Sequence, residues 1–271
     1  SKNTVTRIGT ASDWSSVDAH SEHACGTRGG ARGTLWCWGN NDNGQLGIGT
    51  SGNNLTSPQQ VGSANDWWSV ATGDWHTCGI QAGAVRCWGT NAFGQLGDGT
   101  ELPHYLPAPV GVASNWSALA VGSYYTCGVR AGAVTCWGYN GAGELGLDRS
   151  NSVSSPARVD SSSGWSAVGA GVTHTCGVRD GELYCWGGNN YGQLGYDGNA
   201  PSAVPLRVGG AVDWSAVASS TTYSCGLRAG TLWCWGRYAH GEAGSGDDYA
   251  PLPAQVGAEA GWSDLAVGPV H

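Results

Sequence analysis

The sequence has no Met, one Phe and a single Lys, and only 12% of its 271 residues are charged. That is about half the ~25% of an ordinary soluble domain. Leu, Ile, Val and Phe supply 42 residues between them, which excludes a large aliphatic core. No run approaches the ~20 apolar residues a membrane-spanning helix needs, so membrane insertion is not expected. The few basic residues are scattered, the net charge is -8 and the isoelectric point is near 5.2. A nucleic-acid backbone, which selects a positive footprint, is therefore excluded as a partner. There is no glycine loop ending in Lys-Ser/Thr, no zinc-protease helix and no nucleophile elbow. No catalytic residue, metal site or cofactor is assigned, and a non-enzymatic protein is expected.

In excess are 47 Gly, 15 Trp and 10 Cys. Gly costs ~1 kcal/mol per helical position relative to Ala, which argues against a helical protein. The 25 Trp and Tyr residues stand at regular positions, and disordered chains are poor in aromatics. An all-β domain remains. Ten cysteines in regular spacing imply disulfides and an oxidising compartment, hence a secreted or cell-surface protein, extracellular or periplasmic. The chain starts at Ser1 without a signal peptide and is expected to be a processed or trimmed form.

Internal repetition decides the architecture. Tryptophan recurs at Trp14, Trp68, Trp116, Trp165, Trp214 and Trp262, in steps of 54, 48, 49, 49 and 48 residues. Cysteine pairs follow: Cys25/Cys37, Cys78/Cys87, Cys127/Cys136, Cys176/Cys185 and Cys225/Cys234. Each second cysteine leads into Trp-Gly, then a Gly-Gln/Glu-Leu/Ala-Gly box starting at Gly44, Gly94, Gly143, Gly192 and Gly241, then Pro-x-x-Val starting at Pro58, Pro107, Pro156, Pro205 and Pro253.

Pairing Cys176 with Cys185 pairs Arg179 with Glu182 and leaves Asp180-Gly181 as a two-residue loop, a preferred type I′ turn. Ala82-Gly83, Ala131-Gly132 and Ala229-Gly230 give the same register, whereas the first unit has a longer loop through Gly29 to Gly33. The cysteines of each unit then face each other across adjacent antiparallel strands, close enough for a bridge. One disulfide per unit is expected, Cys25–Cys37, Cys78–Cys87, Cys127–Cys136, Cys176–Cys185 and Cys225–Cys234, each contributing ~2–3 kcal/mol at most. Alternation sends the Trp of each Cys-Trp pair to the face opposite the sulfur, so indoles and disulfides would fill the spaces between sheets. Units of ~49 residues with four short strands and no helix predict a β-propeller; a right-handed solenoid is the alternative.

The pattern from Trp68 through His76-Thr77-Cys78-Gly79 to Cys87-Trp88-Gly89-Thr90-Asn91-Ala92-Phe93-Gly94-Gln95-Leu96-Gly97 resembles the regulator of chromosome condensation repeat family. The resemblance covers nearly the whole chain and implies a propeller, commonly of seven blades. The acidic, cysteine-paired form is similar to a secreted bacterial branch, which includes an inhibitor of β-lactamases acting through loops at one end of the ring. Here five complete units are present. One propeller domain is expected over 1–271, with repeats at 14–62, 68–111, 116–160, 165–209 and 214–257 and partial strands at 4–9 and 262–271. It is a ring with extra terminal strands, part of a larger ring, or a protomer that self-associates through those strands.

Strand alternation puts the loop after the first strand and the loop after Cys-Trp-Gly at one end, with the tight hairpins at the other. Fixed framework with variable loop residues is how recognition surfaces are built. The candidate binding residues are Asn41, Asn43, Asp74, Trp75, Phe93, Tyr124, Tyr191 and His240, with the aromatics as anchors because Trp and Tyr dominate interface hot spots. His23, His76 and His174 share a repeat position with Tyr125 and Tyr223, which favours structural hydrogen bonding over a metal ring. Gln45, Gln95 and Gln193 alternate with Glu144 and Glu242, which favours loop bracing over acid catalysis. Asp98, Asp148, Asp197 and Asp247 are read as turn residues rather than calcium ligands. The expected function is an extracellular scaffold that binds a protein partner, as inhibitor or adhesin, through this end. Lectin-like carbohydrate binding and a structural role in a surface assembly are the alternatives.

Overall fold

The computed structural model describes residues 7–238 and 248–268. It contains five antiparallel sheets of four strands, each built from four consecutive strands in spatial order. The blades span 14–60, 67–109, 116–158, 165–207 and 214–260. Blade 2 is typical, with strands Trp67–Thr72, His76–Gln81, Ala84–Gly89 and His104–Pro109. Among the described residues there is no helix.

The hairpin register holds in every blade. Cys78 lies opposite Cys87, and all five predicted disulfides form with Cα–Cα separations of 4.1 Å. At the turn Ala82 has a φ of 50° and Gly83 of 83°, the two left-handed residues of a type I′ turn. Alanine is strained in that region, and the strain recurs at Ala131 and Ala229; the flanking ladder and disulfide hold the turn in place.

Packing between blades follows the alternation of sulfur and indole. The Cys78 and Cys87 face of blade 2 packs with Trp116 and Trp137 of blade 3, and the same arrangement recurs between blades 1 and 2, 3 and 4, and 4 and 5. Trp88, Trp137, Trp186 and Trp235 are fully buried in these seams. The first-strand indole also covers the glycine after the first cysteine: a Cβ on Gly79 would lie 2.7 Å from the Trp67 ring. This corrects the sequence register of the second unit by one residue. Its repeat tryptophan is Trp67, which is buried, whereas Trp68 is exposed.

The first strands line a central cavity of about 420 Å3. Among the described residues, no packing of comparable extent joins blade 5 to blade 1. Leu265 and Val267 pack on blade 5 instead, and residues 265–268 line the cavity where a sixth first strand would stand. The expected terminal strands are nevertheless not formed over the described residues: Arg7–Gly9 and Trp262–Gly268 carry no strand. Arg7 donates instead to the carbonyls of Thr10 and Ala11, and 262–268 is held by packing of Leu265 and Val267 and by the Ser220 hydroxyl on the Gly268 carbonyl. Residues 4–6 and 269–271 lie outside the described residues.

Candidate functional site

The two variable loop sets meet at one rim. The N–H of the residue after each Cys-Trp-Gly donates to the first loop of the same blade: Asn40 to Glu22 O at 2.9 Å, Thr90 to Trp75 O at 3.1 Å, Tyr139 to Tyr124 O at 2.9 Å, Gly188 to Thr173 O at 2.7 Å and Arg237 to Thr222 O at 2.9 Å. The hairpins lie at the opposite rim, where Gly83, Gly132 and Gly181 accept the N–H of Trp116, Trp165 and Trp214 in the next blade.

Beneath the loop-bearing rim a polar clasp closes each seam. The backbone carbonyl of Gln95 accepts the Trp137 indole N–H at 2.9 Å and the Thr126 hydroxyl at 3.0 Å, both from the next blade. Gln45, Glu144 and Gln193 carbonyls repeat this with Trp88, Trp186 and Trp235. Since the Thr126 proton is committed to Gln95, His76 Nε2 at 2.9 Å must donate to the hydroxyl oxygen. His23 and His174 make the same bond across their seams, at 2.8 and 2.7 Å. Burial pushes all three histidines down to about 3, so they are neutral. Tyr125 takes the equivalent place between blades 3 and 4, donating to the His174 carbonyl, with its oxygen 3.0 Å from the Thr175 hydroxyl, whose proton goes to the Glu144 carbonyl at 2.8 Å. The histidine row is thus consumed by inter-blade bonding.

The Gly-Gln boxes brace their own loops. Oε1 of Gln45, Gln95 and Gln193 accepts the N–H of Asn43, Phe93 and Tyr191, and Glu144 Oε2 accepts that of Ala142. Burial pushes the Glu144 carboxyl up to about 7. A second brace is the asparagine of Cys-Trp-Gly-x-Asn. Asn41, a predicted binding residue, is fully buried; its Oδ1 accepts Leu46 N–H and its Nδ2 donates to Thr50 O. Asn91, Asn140 and Asn189 do the same. Asn41 therefore shapes its loop and offers nothing to a partner. Asp98 is a turn residue, accepting Thr100 N–H at 2.9 Å and pairing with His104 at 2.7 Å.

Asp74 ties three blades together at the inner rim. Its carboxylate accepts the hydroxyls of Ser21 in blade 1 and of Ser123 in blade 3, the latter at 2.6 Å, and lies 3.2 Å from His20 Nε2. Burial opposes its ionisation, but the hydrogen bonds from His20, Ser123 and Ser21 outweigh that and hold the carboxyl well below the usual range. Trp75 beside it is half-buried, as is Asn43.

The predicted aromatics separate into two places. Phe93 and Tyr124 meet edge to face at 5.3 Å across the seam between blades 2 and 3, and Tyr139 adds a third ring 5.0 Å from Phe93. Tyr191 stands over the seam between blades 4 and 5, with the Arg237 guanidinium 5.7 Å from its ring centre. Phe93 and Tyr191 are exposed. Tyr139 was not among the expected residues. Its signal was the position after Cys-Trp-Gly, which varies as Asn40, Thr90, Tyr139, Gly188 and Arg237. His240 lies outside the described residues.

Four tandem stretches, residues 32–80, 82–129, 131–178 and 180–227, match the sequence profile described as the Regulator of chromosome condensation (RCC1) repeat, and residues 165–193 match a second profile of that description. Each of the four starts at a hairpin and ends in the second strand of the next blade, so the sequence repeat straddles a seam. Human WBSCR16 is similar in structure with a TM-score of 0.83 and 23% identity, over 94% of this chain and 70% of that one. Yeast RCC1 (Prp20), solved with Kap60 bound to it, is similar with a TM-score of 0.73 and 18% identity, over 88% of this chain and 59% of that one. Prp20p from Saccharomyces cerevisiae, characterised for binding to Gsp1p and histones, gives 0.73 and 19% over 88% and 61%. These likenesses show a shared fold, and the chain spans less than two thirds of the yeast protein's length. No curated protein sequence matches the chain.

Proposed function

Because the chain belongs to the regulator of chromosome condensation repeat family, we propose that it is a non-enzymatic scaffold that recognises a protein partner through its loop-bearing rim. The observation that carries this is the aromatic cluster of exposed Phe93 with half-buried Tyr124 and Tyr139, raised on a clasped and disulfide-bonded frame. Rigid aromatic side chains at a rim supply contact area at little entropic cost, and aromatic anchors dominate interface energetics. The yeast relative also binds proteins: Kap60, Gsp1p and histones. The five disulfides favour a secreted or surface-displayed protein, since such bonds persist in oxidising compartments.

The test is capture from the native extracellular fluid on immobilised protein, comparing the wild type with Phe93→Ala/Tyr124→Ala. The double variant should weaken affinity for the captured protein at least ~10-fold while the thermal midpoint moves by less than about 2 °C. Unaltered capture contradicts the reading, as does a loss of binding that merely follows a loss of stability.

A further inference from the structure

Charge is divided between the two rims. The loop-bearing rim carries nine carboxyl groups and two guanidinium groups, Arg149 and Arg237, among the described residues. Glu22, Asp42, Glu101, Asp148, Asp197 and Asp248 are exposed there. Arginines gather instead at the hairpin rim, where Arg28, Arg130, Arg179 and Arg228 end second strands. Most find acids beside them: Arg28 pairs with Asp13 at 2.9 Å, Arg179 with Asp160 at 3.4 Å and Arg228 with Asp213 at 2.6 Å. The hairpin rim neutralises itself, and the negative charge of the chain falls largely on the rim that bears the aromatic cluster.

The repeat also shows what such a ring accepts. Tyr191 and Phe93 occupy the same position, each with its N–H bonded to the glutamine two residues on. Over Tyr191 the chain places its own guanidinium, that of Arg237. Phe93 has no cationic partner among the described residues, and Tyr139 fills the position equivalent to Arg237. A ring face paired with nearby carboxylates attracts a desolvated cation, and a surface of one sign speeds encounter with the other.

We infer that the rim over the seam between blades 2 and 3 takes an arginine- or lysine-rich segment of the partner protein. A guanidinium or ammonium rests on Phe93 and Tyr139, the exposed Glu101 in the Phe93 loop supplies the countercharge, and Asp148, whose N–H is held by the Ala203 carbonyl of blade 4, extends the acidic rim over the adjoining seam for the rest of the segment. This deepens the rim reading above and rests on it.

Fluorescent octa-arginine, octa-glutamate and a neutral Gly-Ser peptide serve as probes on the oxidised protein. Octa-arginine should bind with one-to-one stoichiometry and weaken by about tenfold or more between about 50 and about 300 mM salt, as exposed charges are screened. Phe93→Ala should weaken it about tenfold and Glu101→Gln/Asp148→Asn about three- to tenfold. The hairpin-rim control Glu259→Gln/Asp264→Asn, which removes the same charge, should leave binding unchanged. No preference for octa-arginine overturns the inference, and so does an equal effect of the two charge pairs. If octa-arginine fails while capture still depends on Phe93, the cationic segment is wrong and the rim reading stands; if capture is also indifferent to Phe93, both fall.

Discussion

The seam between blades 2 and 3 and the seam between blades 3 and 4 share one plan and differ in chemistry. In both, an indole N–H and a threonine hydroxyl donate to one carbonyl of the preceding blade, with the indole at 2.9 Å in the first and 2.8 Å in the second. The first uses His76 and the amide of Gln95, whereas the second uses Tyr125 and the carboxyl of Glu144. At the rim the first carries Phe93, Tyr124 and Tyr139, where the second has Ala142, Thr173 and Gly188. Geometry is thus set by groups present in every repeat, and proton affinity and surface chemistry by positions free to change. One frame can therefore carry different seams and different rims without being rebuilt.

Acid should separate the two seam types most strongly. His23, His76 and His174 sit at about 3 in the fold against 6.5 when exposed. The unfolded chain takes up protons first, so stability present above 6.5 is lost as the pH falls towards 3. At about pH 4.5 each histidine costs about 2–3 kcal/mol. His76→Tyr, which copies the Tyr125 arrangement, should remove about a third of that loss from the thermal midpoint. A midpoint that falls as steeply as in the wild type would show that His76 is not held neutral.

The glutamate seam responds in the opposite direction. Glu144 sits at about 7 against 4.5, so the folded state keeps its proton longer, and the resulting stability, present below 4.5, is lost as the pH rises through 7. Glu144→Gln should raise stability by about 3 kcal/mol at about pH 8 and by less than about 1 kcal/mol at about pH 5; Gln95 already fills the equivalent place. An equal gain at both pH values would assign the effect to packing. The smallest effect tests the shared plan. Trp137→Phe and Trp186→Phe each remove the same buried N–H···O bond and should cost the same, about 1–2 kcal/mol, by denaturant unfolding. A clear inequality would mean that the seams are not built alike.

The hairpins and disulfides were legible because a two-residue turn fixes register, and register alone decides which sulfurs meet. The order of sulfur and indole across each seam was legible for the same reason, through strand alternation. Trp67 was missed by one residue because Trp67-Trp68 offers two indoles, and only contact with Gly79 shows which is inside. The clasp was illegible since its acceptor is the carbonyl of Gln95, a backbone group that no side chain encodes. Asn41 was misplaced because an asparagine in a loop reads alike whether it faces water or braces its own turn. Phe93 and Tyr124 were found as loop aromatics, but Tyr139 follows a framework glycine directly and reads as frame.

The central claim is that recognition belongs to the rim where both variable loop sets converge. Hydrogen exchange of the protein with and without its captured partner tests this most directly. Protection is predicted at 73–75, 90–94, 122–124 and 139–142, with the hairpins at 82–83, 131–132 and 180–181 exchanging as before. Protection confined to those hairpins would contradict it.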